Sequence, residues 1–319
     1  MAQPNRDLNS LLALSTSLQA QSTAVAPRED ATADTPTSAP QPAARKLDTG
    51  VLDALMGKSD AVRMRECMDF IDDATADEAA KGSAWDELEM IVENLDCAND
   101  LEPLGLWPRI ARYLSSPSDE TLTAALWTCG TAVNNNPRSQ AAFLKLDPLP
   151  VLVQLPTTTD RSAEVRSKAL FCISGLLKHF PDAIQRFTEL GGFRTLATSL
   201  QDPDITCRRK TAFLVGALLG AGEADPLRPG LIAEARQAGV ISSLVASLSP
   251  ATAHPFGPDG DETSDADFEE KAVHALFAIA TAEPGALLPD ERRALAEALR
   301  SNDYGLARAE LAQLNSLLS

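Results

Sequence analysis

From Leu47 onward, apolar residues return every three or four positions, and Pro, Gly, Asn and Asp interrupt them at intervals. That spacing suits helices with one face turned inward, and no stretch alternates residue by residue as a half-buried strand would. Pro and Gly fall where helices should stop. The pattern predicts an all-α chain.

The pattern also repeats. "AALWTCGTAVNNNPRSQAAFLKLDPLPVLVQL", "KALFCISGLLKHFPDAIQRFTELGGFRTLATSL" and "TAFLVGALLGAGEADPLRPGLIAEARQAGVISSLVASL" share one plan. Each has a long apolar helix, a polar turn with Pro, a shorter helix, a small-residue turn and a Leu-rich helix. Trp127, Phe171 and Phe213 are equivalent, at spacings of 44 and 42 residues. An earlier copy runs from Ala84 to Leu114, and a last one starts at Lys271 after an insertion. A period near 42 with three helices per unit is the armadillo or HEAT signature. One unit cannot bury its apolar face alone, whereas stacked units bury a continuous core and offer a concave surface. The expected fold is a right-handed superhelical armadillo/HEAT-like solenoid of about four three-helix repeats with helical caps.

Residues 1–46 stand apart. Ala, Ser, Thr, Pro and Gln dominate from Gln19 to Arg45, as in "TADTPTSAPQPAAR", so an arm without its own core is expected. Leu8, Leu11, Leu12, Leu14 and Leu18 form one short helix-like patch in segment 8–18. The expected organisation is this arm, a helical cap over 47–82, repeats over 83–249, an acidic flexible insertion over 250–268, and a last repeat with cap over 269–319.

Composition narrows the function. The 319 residues carry a formal charge of −17, which disfavours nucleic acid and anionic membrane surfaces as partners. Five cysteines stand singly, as in a reduced compartment. Neither a membrane-spanning run nor a signal-like start is evident, so a soluble, unexported chain is expected. His179, His254 and His274 are scattered, without zinc spacing, and no phosphate-binding loop or nucleophile elbow occurs. "PDGDETSDADFEE" lacks the residue order of a calcium loop. We therefore expect no enzyme activity, no metal and no cofactor.

Two features suit a binding surface. "DCAND" at 96–100 and "NNNP" at 134–137 occupy equivalent turns, with Asp96, Asn99 or Asp100 available to cap a helix. The asparagine ladder of import-cargo armadillo proteins is missing, since Thr131, Gly175, Ala217 and Ala278 hold its positions. Instead Lys168, Lys210 and Lys271 recur three residues before the aromatic position, with Arg166, Arg208 and Arg209 beside the first two. A basic cluster at one helical height in an acidic chain suits an acidic, folded partner.

"ENLDCANDLEPLGLW", "GTAVNNNPRSQAAFL", "VRSKALFCISGLLKHFPDAIQRF", "GGFRTLATSL" and "RRKTAFLVGALL" follow in that order. Over roughly residues 50–250 the chain resembles the armadillo-type nucleotide exchange factors of seventy-kilodalton heat-shock chaperones, the family of heat-shock-protein-binding protein one. The resemblance implies a monomeric cytoplasmic co-chaperone whose concave face holds the chaperone's ATPase domain and promotes ADP release. It implies contacts at Ala98, Asn99, Asn134, Asn135, Lys168, Arg208, Arg209 and Lys210. "LNSLLALSTSL" resembles the leading segment of fungal-type members, which implies that Leu8, Leu11, Leu12 and Leu14 help expel the chaperone's substrate. Cys97 replaces the family's usual Asn. A scaffold without effect on a nucleotide cycle is the alternative.

Overall fold

The computed structural model describes residues 57–220, 228–248 and 265–318. All belong to the second of the two units into which the chain divides, Gly50–Ser319. Every regular element among the described residues is helical.

Two helices lead, α1 (Asp60–Asp72) and α2 (Glu78–Val92), and four three-helix units follow. The first holds α3 (Leu95–Asp100), α4 (Trp107–Ala111) and α5 (Asp119–Val133). The second holds α6 (Pro137–Leu144), α7 (Leu149–Leu152) and α8 (Ala163–Leu177). The third holds α9 (Pro181–Glu189), α10 (Gly192–Ser199) and α11 (Ile205–Gly220). The fourth holds α12 (Arg228–Gln237), α13 (Val240–Ala246) and α14 (Ala266–Ala282), and α15 (Pro289–Ser301) and α16 (Arg308–Leu318) close the described chain. The expected border at 82 falls inside α2, and that at 268 inside α14. Residues 1–56 and 249–264, with the arm and most of the acidic insertion, lie outside the described residues.

Local chemistry sets where the long helices begin. Asp77, Ser118, Ser162 and Asp265 each accept a first-turn backbone N–H of α2, α5, α8 and α14. Asp204 does the same for α11, at Thr206 and Cys207. Each satisfies donors that the helix leaves open at its start.

The long helices α2, α5, α8, α11 and α14 pack each on the next and form one wall. Small residues permit the close approach. A Cβ at Gly130 would stand 2.6 Å from the Phe171 ring, and one at Gly175 3.1 Å from the Gly130 carbonyl. Polar ties hold the helices in register within and between units. Gln140 of α6 donates to the carbonyls of Gly175 at 2.7 Å and Lys178 at 3.0 Å, satisfying the end of α8. Arg166 forks onto Asp202 at 2.7 and 2.9 Å across the next repeat boundary, and both side chains are buried. Apolar contacts fill the remainder, including Trp107 stacked on Phe143 with ring centres 4.7 Å apart.

Candidate partner-binding wall

The exposed face of the long helices carries aromatic rings and lysines in alternation. Lys168 of α8 holds its ammonium 3.3 Å from the centre of the Trp127 ring of α5. Lys210 of α11 lies 6.0 Å from the Phe171 ring of α8 and donates to Ser167 Oγ at 2.7 Å. Each lysine thus reaches back onto the aromatic residue of the preceding repeat. In the third step Phe213 is 58% exposed, and Lys271 of α14 pairs with Asp267 instead.

The two ammoniums are strained electrostatically. Burial, and after it the charge of Lys210, holds Lys168 below the ordinary lysine value, while Glu164 and Glu89 pull the other way. Burial likewise lowers Lys210. Positive charge kept half-buried beside positive charge is better satisfied by a negative partner.

The other basic residues divide into two groups. Arg209 pairs with Asp265 at 3.0 Å and lies 3.3 Å from Asp267, keeping a partly exposed side chain at the start of α14. The hydrogen bond to Asp265 raises its already high pKa. Arg208 does not join the wall. It is 1% exposed, donates to the carbonyls of Asp202 and Pro203, and its guanidinium carbon sits 5.8 Å from the Phe268 ring centre. It shares the inward stripe of α11 with the buried Ala212, Val215 and Leu219, so its expected surface role is corrected. Arg166 is likewise held inside by Asp202.

The two asparagine-rich segments meet, but not as a pair of turns. "DCAND" is helical: it lies within α3, capped by Asn94, whose side chain accepts from Asp96 and Cys97. Capping by Asp96, Asn99 or Asp100 is therefore corrected. Ala98 is buried within α3, so its side chain offers nothing to a partner. Asn99 is half-buried, with Oδ1 lacking a hydrogen-bond donor. Asn134 and Asn135 are exposed, Asn135 with a left-handed φ of 53°. Asn136 is the structural member: it caps α6 and reaches the Leu95 carbonyl at 3.4 Å, joining the segments.

The wall therefore brings Lys168, Lys210 and the partly exposed Arg209 onto successive long helices, with Asn134 and Asn135 at the end of α5. Leu8, Leu11, Leu12 and Leu14 lie outside the described residues. The lysine-on-ring pairing was missed in the sequence, although the distances from Trp127 to Lys168 and Phe171 to Lys210 are 41 and 39 residues, near one period. A cavity of about 560 Å³ lies among the short helices and includes no long-helix residue. Among the described residues no group of His, Cys, Asp and Glu could hold a metal, and no helix is long and apolar enough to cross a membrane.

Comparison with known proteins gives concordant matches. The family model described as nucleotide exchange factor Fes1 matches residues 8–101, and that of the SIL1/FES1/HPBP1 C-terminal domain matches residues 97–220. The Hsp70 nucleotide exchange factor FES1 of Mycosarcoma maydis is 32% identical over 287 residues, covering 74% of this chain and 73% of that protein. The Schizosaccharomyces pombe protein of the same name is 40% identical over 171 residues, covering 54% of this chain and 55% of its own length. The Saccharomyces cerevisiae one is 35% identical over 196 residues, covering 60% and 67%. A designed armadillo repeat protein superposes with a TM-score of 0.60 at 17% identity, covering 80% of this chain and 98% of its own. An armadillo-repeats-only protein of Plasmodium falciparum gives 0.51 at 11% identity, covering 70% and 98%. The fold is that of an armadillo solenoid.

Proposed function

The chain belongs to the Fes1 family of Hsp70 nucleotide exchange factors, and from that premise we propose that its long-helix wall binds the ATPase domain of a cytosolic Hsp70 and promotes ADP release. The family is regulatory, and the chain is not an enzyme. No covalent step is involved. The factor acts to the extent that it binds the nucleotide-free, open ATPase domain more tightly than the closed one.

One observation carries the assignment of the surface: Lys168 and Lys210 stand half-buried on neighbouring helices of a strongly acidic chain, each against an aromatic ring of the preceding repeat. An acidic face of the chaperone relieves their mutual repulsion. Asn99, Asn134 and Asn135 supply hydrogen bonds at one end, and Arg209 supplies charge at the other. Ala98 and Arg208 act from inside, by fixing α3 and α11. The Leu8–Leu14 segment of the arm enters the chaperone's peptide groove and speeds substrate release. The protein works as a monomer in the cytosol.

The test is rapid-mixing release of a fluorescent ADP analogue from Hsp70. Acceleration that saturates with protein, and is lost in Lys168→Glu/Lys210→Glu, is expected. No acceleration at saturation rules out the exchange activity, and unchanged acceleration by the variant rules out the lysine surface.

A further inference from the structure

The wall is not uniformly basic. Where α2, α5 and α8 meet, a cavity of about 240 Å³ opens beside Trp127. Trp85 and Trp127 give it apolar sides, and Asp86, Glu89, Glu120 and Glu164 turn four carboxylates toward it. None of these four forms an ion pair with a described cation. Lys168, at the edge, senses Glu164 and Glu89 through space yet pairs with neither.

Glu89 separates this cavity from an ordinary solvated acidic face. It is 9% exposed, a charged group held in the helix packing. Thr131 donates to Oε1 at 2.6 Å, while Oε2 has no donor among the described residues. A buried carboxylate usually has a cation or a set of donors. Here Glu89, with one oxygen open, lines a cavity with two indoles, an arrangement suited to a planar cation. A guanidinium can lie against an aromatic side chain while forking its N–H groups onto carboxylates, which an ammonium cannot do.

We propose that this cavity receives an arginine side chain of the Hsp70 ATPase domain, bonded to Glu89 Oε2 and neutralised by Glu120 and Glu164. This deepens the function proposed above and rests on it. The wall then has two signs: negative at α2–α5–α8, which takes a basic group, and positive at α8–α11, which takes an acidic one. Such a pair of opposite contacts fixes the register of the partner along the wall, since a shift by one repeat brings like charges together.

Affinity for the isolated ATPase domain, measured at several ionic strengths together with ADP release, tests the proposal in the full chain. Glu89→Gln retains an acceptor for Thr131 and removes the charge, and Glu89→Gln/Glu120→Gln/Glu164→Gln empties the cavity of three charges. The expected results are roughly threefold weaker binding for the single variant and at least roughly tenfold for the triple, with a shallower salt dependence. Affinities within about twofold of wild type, with unchanged thermal unfolding, overturn the cavity assignment while wild-type exchange leaves the function standing. Wild type that neither binds nor accelerates overturns both. Should the triple variant unfold, Glu89→Gln alone decides.

Discussion

If the Lys168–Trp127 contact is a true ring–ammonium interaction, its energy can be isolated by truncating each residue to alanine, singly and together. The ammonium stands 3.3 Å from the ring centre, well inside the range in which the ring quadrupole attracts a cation. Exposed pairs contribute about 0.5–1 kcal/mol and desolvated ones about 2 kcal/mol. Trp127 is 40% exposed and Lys168 half-buried, so a coupling of about 1 kcal/mol is expected. Trp127→Ala alone will lose more, roughly 2–3 kcal/mol, because about 100 Å² of indole leaves the packing at about 25 cal/mol per Å². Urea unfolding of the four proteins gives the coupling, since burial lost in the single variants cancels in the cycle. The same cycle on Phe171 and Lys210 should give less than half as much, because that separation is 6.0 Å and Lys210 is bound to Ser167. A Trp127–Lys168 coupling below about 0.3 kcal/mol, the usual error of additivity, would refute the contact.

Gly130→Ala should destabilise the α5–α8 contact by about 1–2 kcal/mol, because the new methyl meets the Phe171 ring at 2.6 Å and overpacking outweighs the gain in helix propensity. Thermal unfolding reads the change, and an unchanged or raised midpoint contradicts that packing. Asp202→Ala leaves the 7% exposed Arg166 without its carboxylate and should destabilise by about 3–5 kcal/mol in urea. A loss below about 1 kcal/mol would mean the pair contributes little. Burial opposes the charge on Asp265, but the Arg209 hydrogen bond, the Phe268 N–H and the charges of Arg209 and Arg208 together outweigh it and lower the pKa. A depressed carboxylate stabilises above its unfolded pKa of about 4 and loses that contribution as pH falls through the folded value. Asp265→Asn should therefore flatten the decline of unfolding free energy below about pH 4, and identical slopes exclude the contribution. Deleting residues 1–20 should leave ADP release intact and slow the release of bound peptide from Hsp70. Equal peptide release removes the arm from the mechanism.

The helices were legible because burial imposes a period, and the repeats because one packing solution recurs. Trp127, Phe171 and Phe213 were recognised as equivalent, and so were the lysines before them. Their pairing was not, because each contact crosses a repeat boundary and reading within one unit cannot reveal it. Arg208 was misassigned because "RRK" looks like surface, although Arg208, Ala212, Val215 and Leu219 share one helical stripe. An arginine can hold such a position only where carbonyl groups await its donors, and the Asp202 and Pro203 carbonyls supply them. The helical "DCAND" escaped for a related reason: Asn94, two residues earlier, is the cap. Glu89 looked like any helix-face glutamate, since its burial depends on Thr131 of the neighbouring unit.

The guanidinium of Arg166, forked onto Asp202 across a repeat boundary, makes the distance from one repeat to the next hard to adjust. The protein therefore behaves as a ruler with marks at fixed intervals. A surface whose own features are spaced differently gains little from charge alone, because meeting the second mark would require breaking bonds that hold the first unit to its neighbour. Discrimination between clients then resides in spacing, and substitutions far from any contact can alter it.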